Sequence, residues 1–500
     1  MDSKGDGVSA AAESQTEVAP VEQPETRAVL LGAELLNWSD LEPLNAEPPL
    51  GGPAALELLG AVLTGAQHVL LAGPHTLEVI GYVAERAGSL DVLLRSFADA
   101  ESVAERYDAR VFAGGLDRFG AEHGEASYDV IVALDGIPRL AGPDTPELVW
   151  SDAVAQLRKR LAPGGVLLLG AANPFGLGRL LDVPRLPRDD EWGRDVEAGG
   201  EPPAGLAAVR AALDGTGLAT VAAYCLFPGT TSPELALTDP AGPGDAAPVA
   251  RAVARHHAGG PKLSDPYRTA YDAVAVGLGT ALAPGYWFVL TDNAGRDLPE
   301  RLGTPAVPGE LVEERLLAAT RADDHQAVRQ VVAEYVDWLQ TQDHGTAAAA
   351  ATDNVLADGT SYTLLAEDPE APGGTHSQLA VRHLAGFVTR SMAAGVRQPW
   401  SAGGTPRALT ERLAAMARIE VDDALWEAAG VADAAVTPQG HVEQLATIER
   451  LTAELAEARA QVDWFEGQLD KLRKSRSYRV GRAIVSPLRA TYGKLRTRLR

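Results

Sequence analysis

From Ala54 onward, short apolar runs alternate with stretches of helical spacing, and this alternation leaves few folds open to the chain. "ALELLGAVLTGA" has apolar residues at helical intervals, "HVLLAG" is a short apolar run, and "LEVIGYVAERAG" is helical again. "LDVLLRS", "ARVFAGG", "YDVIVALD" and "VLLLGAA" read as further strands, with "DAESVAERY" and "PELVWSDAVAQLRKRL" as helices between them. Strands alternating with helices form βαβ units, and right-handed crossovers then build a parallel, doubly wound sheet. A helix "GLAAVRAALDGTG", a strand "LATVAAYCLF" and, after a Pro/Gly-rich and helical insertion, a strand "YWFVLTD" complete an α/β domain over residues 54–293.

The rest of the chain divides by composition. Residues 1–28 have neither an apolar core nor a basic lead, so they read as a disordered acidic leader and not as a secretory signal. Residues 294–310 contain Pro and Gly and read as a linker, and residues 311–430 as a mainly helical unit. Over 441–474 a coiled coil is expected. Ile448, Leu451, Leu455, Ala458, Val462, Phe465, Leu469 and Leu472 repeat at intervals of three and four, which keeps one apolar seam facing a partner helix. Self-association or a partner helix along Ile448 to Leu472 is therefore expected. Residues 475–500 form a basic tail whose interleaved Tyr478, Val480, Ile484, Val485, Leu488, Tyr492 and Leu495 make parts of it amphipathic.

The formal net charge of -24 argues against a general affinity for nucleic acid, because phosphate binding needs a basic surface. Only the C-terminal end is basic, with eleven Lys or Arg and no acid between Lys471 and Arg500. A basic amphipathic segment without base-stacking platforms suits an anionic membrane surface or an acidic protein patch. Cys225 is the single cysteine, which excludes an internal disulfide and every multi-cysteine metal site, and fits a reducing cytoplasm. Adjacent His256 and His257 would point about 100° apart on a helix, and no other spacing suggests a metal site. The long uncharged run "AVAVGLGTALAPGYWFVL" is broken by Ala-Pro-Gly and reads as helix, turn and strand, not as a membrane span.

Over roughly Leu56 to Asp292 the residues resemble the class I S-adenosylmethionine-dependent methyltransferases. The resemblance rests on "HVLLAGPHT" at the place of the glycine loop, "YDVIVALDGIPRL" at the fourth strand, and "LRKRLAPGGVLLLGAANPFGLGRLL" at the fifth. It implies a Rossmann-like sheet with an antiparallel final strand, here "YWFVLTD", and S-adenosylmethionine as cofactor. Carried over position by position, the cofactor-binding candidates are Gly73, His75 and Thr76 in the loop, Arg95 after the second strand and Asp117 after the third. Asp135, after the fourth strand, stands where such enzymes often place a substrate or general-base residue.

Several positions depart from the family pattern. The first strand of the family usually ends in an acid followed by Gly-x-Gly-x-Gly; here Leu71 replaces the acid, Gly73 keeps the first glycine, and His75 and Leu77 replace the others. The second strand normally ends in an acid that accepts both ribose hydroxyls, and Arg95 replaces it with a cation. Leu116 stands at the adenine-contacting position, with Asp117 one residue beyond. "TDNVLADGTSYTLLAEDPE" is similar to the metal-binding end of kinase-like phosphotransferases, with Asn354 and Asp368 as its ligands, but the upstream aspartate motif is missing and "ADG" reads as the turn of a surface hairpin.

The coil and tail are similar to those of bacterial glycosyltransferases and their companion methyltransferases. Two functions are therefore expected. One is a methyltransferase acting on a cell-surface glycan or its precursor. The other is a non-catalytic methyltransferase-like scaffold that oligomerises through its coil and docks on a membrane or a glycosyltransferase complex, cytoplasmic or peripheral at the inner face of the membrane.

Overall fold

The computed structural model describes residues 27–474 apart from 33, 44–46, 123–126, 143–148, 184–200, 259–260, 294–295, 304–308, 369, 401–403, 433–435, 437 and 439. The expected leader, but for its last two residues, and the basic tail lie outside the described residues.

Ten strands form one sheet: β1 (Val29–Gly32), β2 (His68–Ala72), β3 (Ser89–Leu94), β4 (Arg110–Gly114), β5 (Tyr128–Ala133), β6 (Leu161–Ala172), β7 (Ala219–Phe227), β8 (Leu235–Leu237), β9 (Gly285–Thr291) and β10 (Arg301–Leu302). Their order is β1-β4-β3-β2-β5-β6-β9-β7-β8-β10. The pairs from β1 through β6 are parallel, while β9, the expected "YWFVLTD" strand, runs antiparallel to both β6 and β7. The sheet reaches beyond 54–293 at both ends, taking in β1 and β10.

Both faces of the sheet are covered, as continuous apolar runs in place of alternating ones require. Leu70, Ala72, Leu93, Phe112, Ile131, Leu167 and Leu169 enter one buried cluster. Their immediate neighbours Val69, Leu71, Val92, Val111, Val130, Val132 and Leu168 enter the other. This two-residue alternation follows from strand geometry, and it carries the loops at the carboxyl ends of β2 to β6 to one edge, where α/β proteins assemble their sites.

The second unit is mainly helical, with a small sheet of β11 (Glu310–Leu311), β12 (Val355–Asp358) and β13 (Ser361–Leu364). β12 and β13 form the hairpin that "ADG" led us to expect, closing between Asp358 and Ser361. Leu311, Leu356 and Leu365 pack on Ala247 of the helix Pro243–His256, which joins the unit to the α/β domain. The helix His441–Lys474 is rooted by His441 N–H donating to Lys262 O at 2.9 Å and Val442 N–H to Leu263 O at 3.1 Å. Beyond this root its apolar side chains are open: Ile448, Leu451, Leu455, Val462 and Phe465 are 48–60% exposed. Among the described residues, no helix is long and apolar enough to cross a membrane.

Candidate functional site

The loop after β2 turns at Gly73, whose φ of +92° suits glycine, and its N–H donates to Leu93 O at 3.0 Å. His75 follows and is completely buried. Its Nδ1 lies 2.9 Å from Gly73 O, so Nδ1 carries the proton, and Nε2 is left as a buried acceptor with no partner among the described residues. Burial pushes the imidazole down to about 4, outweighing the Gly73 hydrogen bond, so it is neutral at physiological pH. Thr76 caps the helix Leu77–Ala84 by accepting from Val79 N–H at 3.3 Å.

The described residues among 28–51, which show no periodicity in sequence, cross this same edge as a strap. β1 pairs with β4, and Ala28 N–H donates to Glu101 Oε1 at 2.7 Å. At β3, Leu35 N–H donates to Arg95 O at 2.8 Å, and Phe97 N–H returns to Leu35 O at 3.0 Å. At β2, Leu50 N–H donates to Pro74 O at 3.0 Å, and Thr76 N–H donates to Leu50 O at 2.8 Å. The strap thus hydrogen-bonds to the loops that would meet a cofactor.

Arg95 holds the centre of this edge. Its Nε and Nη2 donate to the two carboxylate oxygens of Asp40 at 2.7 and 2.8 Å, and each side chain is 3% exposed. Burial raises the Asp40 carboxyl, but the Arg95 guanidinium and the Trp38 indole N–H hold it below its ordinary value. Asp99 accepts from Ser39 Oγ at 2.6 Å, Asp40 N–H at 2.7 Å and Leu41 N–H at 3.2 Å. Asp99 and Glu101, the first two acids after Arg95, are therefore both engaged by the chain's own strap.

Asp135 lies just past β5 and faces Gly73: a Cβ built on Gly73 would come within 3.8 Å of its carboxylate. Arg139 Nε donates to Asp135 Oδ2 at 2.8 Å and its Nη2 to Oδ1, while Nη1 and Nη2 also reach Glu47 O and Pro48 O, each at 2.9 Å. Burial pushes Asp135 up to about 6, against the downward pull of Arg139. With both oxygens in this fork, the carboxylate is a fastening for the strap and is poorly placed to accept a substrate proton.

The structure thus brings together Gly73, His75, Thr76, Arg95 and Asp135 beneath the strap. Asp117 lies in the first turn of the helix Leu116–Glu122, 3.6 Å from Arg118. Ser39, Asp40 and Arg139 are not among the residues that the sequence singles out. Only Arg139 left a signal, standing four residues after Asp135 where a helical turn would pair them. Asn354, the other motif candidate, is used structurally: its amide donates to Ala349 O and Ala366 O, each at 2.8 Å, and accepts from Ala366 N–H at 3.2 Å.

These residues do not fit S-adenosylmethionine. Were the cofactor held as the resemblance implies, the buried Arg95–Asp40 pair would stand in place of the ribose-binding carboxylate with no free acceptor oxygen, and the buried His75 imidazole where glycine would let the backbone approach the ligand.

No protein-family model matches the chain, and no curated protein matches it significantly. Solved structures similar to it are named as methyltransferases or cyclopropane synthases. N-methyltransferase NodS from Bradyrhizobium japonicum WM9, in complex with S-adenosyl-L-homocysteine, is 20% identical over 24% of this chain and 57% of its own, with a TM-score of 0.17. The match thus spans little more than half of NodS. Cyclopropane synthase MmaA2 from Mycobacterium tuberculosis is 19% identical over 47% of this chain and 82% of its own, with a TM-score of 0.27. Mycolic acid cyclopropane synthase CmaA1 is 14% identical over 47% and 87%, also at 0.27. Overall similarity this low carries neither activity nor ligand over to this chain.

Proposed function

We propose that this chain is a methyltransferase-like protein that works as a non-catalytic scaffold, its cofactor edge closed by its own N-terminal strap. One observation carries this: Arg95, at the ribose-acid position, is buried in a two-bond ion pair with Asp40 of the strap. The long helix His441–Lys474 supplies assembly through its exposed apolar seam, with a second copy of the same helix as partner. The basic tail supplies docking to an anionic membrane surface or to an enzyme complex of polysaccharide synthesis. Fold alone is weak evidence for catalysis, and here the side chains that should carry it are turned to structural use.

The competing function is methyl transfer to a glycan hydroxyl. It is favoured by the positive φ retained at Gly73 and by an acid, Asp135, at the end of β5. Calorimetric titration of the full chain with S-adenosylmethionine and with S-adenosylhomocysteine separates the two. No heat at millimolar ligand, from protein shown to be folded by circular dichroism, is expected. Micromolar binding that Gly73→Asp abolishes would overturn the scaffold and restore the enzyme.

A further inference from the structure

The apolar seam of the helix His441–Lys474 is uneven along its length, and the unevenness limits how a second copy can lie on it. Ile448, Leu455, Val462 and Leu469 take one core position of the heptad, a, while Leu451, Ala458, Phe465 and Leu472 take the other, d. Branched and unbranched residues mix at the a positions, and no polar residue interrupts the seam from Ile448 to Leu472. Neither of the usual devices for fixing direction is therefore present, and the sizes of the layers and the charges beside them decide it.

Two parallel copies in register would set every residue on itself. Ala458 would face alanine and, one heptad on, Phe465 would face phenylalanine. The distance between packed helices follows the side chains at the contact, about 8–10 Å, so passing from the narrowest layer to the widest within one heptad leaves a void beside Ala458. Antiparallel copies instead join a to d. Centred on Ala460, this pairing sets the partner's Leu472 on Ile448, the partner's Leu469 on Leu451, the partner's Phe465 on Leu455 and the partner's Val462 on Ala458. Every seam residue then has an opposite number, the two narrow layers meet at the centre, and Phe465 meets leucine in place of itself.

Charge selects the same direction. Residues 441–457 carry four acids and one base, a net of -3, whereas residues 458–474 carry three acids and four bases, a net of +1. Parallel copies oppose -3 to -3, while antiparallel copies lay each acidic half on a basic one and oppose the two helix dipoles. Parallel pairing offers one attraction in return, Glu454 with the partner's Arg459, but exposed pairs contribute little and Arg450 already holds Glu454 at 3.2 Å. The repulsion that antiparallel pairing creates, between Arg459 and the partner's Arg459, is exposed and equally small. We propose that the helix pairs with a second copy of itself antiparallel and centred on Ala460, a refinement that rests on the self-association proposed for it. The two α/β domains then stand at opposite ends of the coil.

The test uses the full chain, whose single cysteine, Cys225, is completely buried and leaves introduced thiols to report alone. Glu449→Cys and Lys471→Cys place spin labels at exposed positions outside the seam, and pulsed dipolar spectroscopy reads the distance between copies. In the antiparallel dimer each variant labelled alone should give about 33 Å, the axial rise from 449 to 471, and an equimolar mixture of the two should add a distance under about 20 Å. Parallel pairing reverses this pattern, with like labels under about 20 Å, and would overturn the direction while leaving self-association intact. Unequal distances for the two variants would overturn the register centred on Ala460. Sedimentation velocity on the same samples separates the two levels, since a monomer at tens of micromolar removes self-association and its direction together.

Discussion

Replacing Arg95 with Met tests whether the strap is latched by charge. Arg95 and Asp40 are each 3% exposed and joined by bonds of 2.7 and 2.8 Å, so removing the guanidinium strands a buried carboxylate. Its remaining donor is the Trp38 indole N–H at 2.9 Å, which cannot neutralise the charge. Breaking one partner of a buried pair costs about 3–5 kcal/mol, whereas exchanging both for apolar residues is often near neutral. A chain with several structural units need not unfold in one step, so the quantity to read is local opening. Native-state hydrogen exchange at Leu35, Asp40 and Leu41, whose amides hold the strap to Arg95 and Asp99, should quicken by roughly 10²- to 10⁴-fold in Arg95→Met. Arg95→Met with Asp40→Leu should recover most of that loss, a non-additivity expected of groups in contact. If the single variant exchanges like the wild type, or if the double variant is the sum of the singles, the ion pair is not what holds the strap down.

Three further outcomes are expected. His75 and His383 are both pushed down to about 4 by burial, so the stability they preserve is fully present above the ordinary value of 6.5 and is lost as pH falls from 6.5 through 4. At pH 5 each imidazole should cost about 2 kcal/mol, and His75→Gln should shrink the fall in melting temperature between pH 7.5 and 5; an equal fall would refute the assignment. Gly73→Ala, at φ +92°, should lower stability by about 1–3 kcal/mol in thermal melts despite the 3.5 Å clearance to Leu140; an unchanged melt would mean that the turn tolerates a side chain. Leu451→Asp with Leu455→Asp, on the open seam, should convert a self-associated chain to monomer in sedimentation velocity while its thermal melt stays within about 0.5 kcal/mol. A wild type already monomeric at tens of micromolar would remove self-association.

The residues differ in how much of their role could be read locally. The strands of the sheet were legible because each apolar run declares itself within half a dozen residues, although β6 begins at Leu161 and so takes in "APGG" as well as "VLLLGAA". Gly73 was legible because a strand-to-helix turn calls for glycine, and Arg95 because it replaced an expected acid. What Arg95 does instead was not legible, since its partner Asp40 lies 55 residues earlier in a stretch without periodicity. For the same reason Asp135, read as a possible base, emerges as a strap fastening. Its engagement depends on Arg139 and on the carbonyls of Glu47 and Pro48, about 90 residues away.

Hydrophobic period and turn chemistry are properties of neighbours along the chain, so the sequence by itself determined the doubly wound sheet, the hairpin at "ADG" and the apolar seam of the last helix. The closing of the strap over the carboxyl edge of the sheet was decided only by the tertiary structure. It depends on which backbone groups and charges, remote in sequence, come within hydrogen-bond reach once the sheet has formed. Such pairings are made by burial and register, and neither is encoded in any local run of residues.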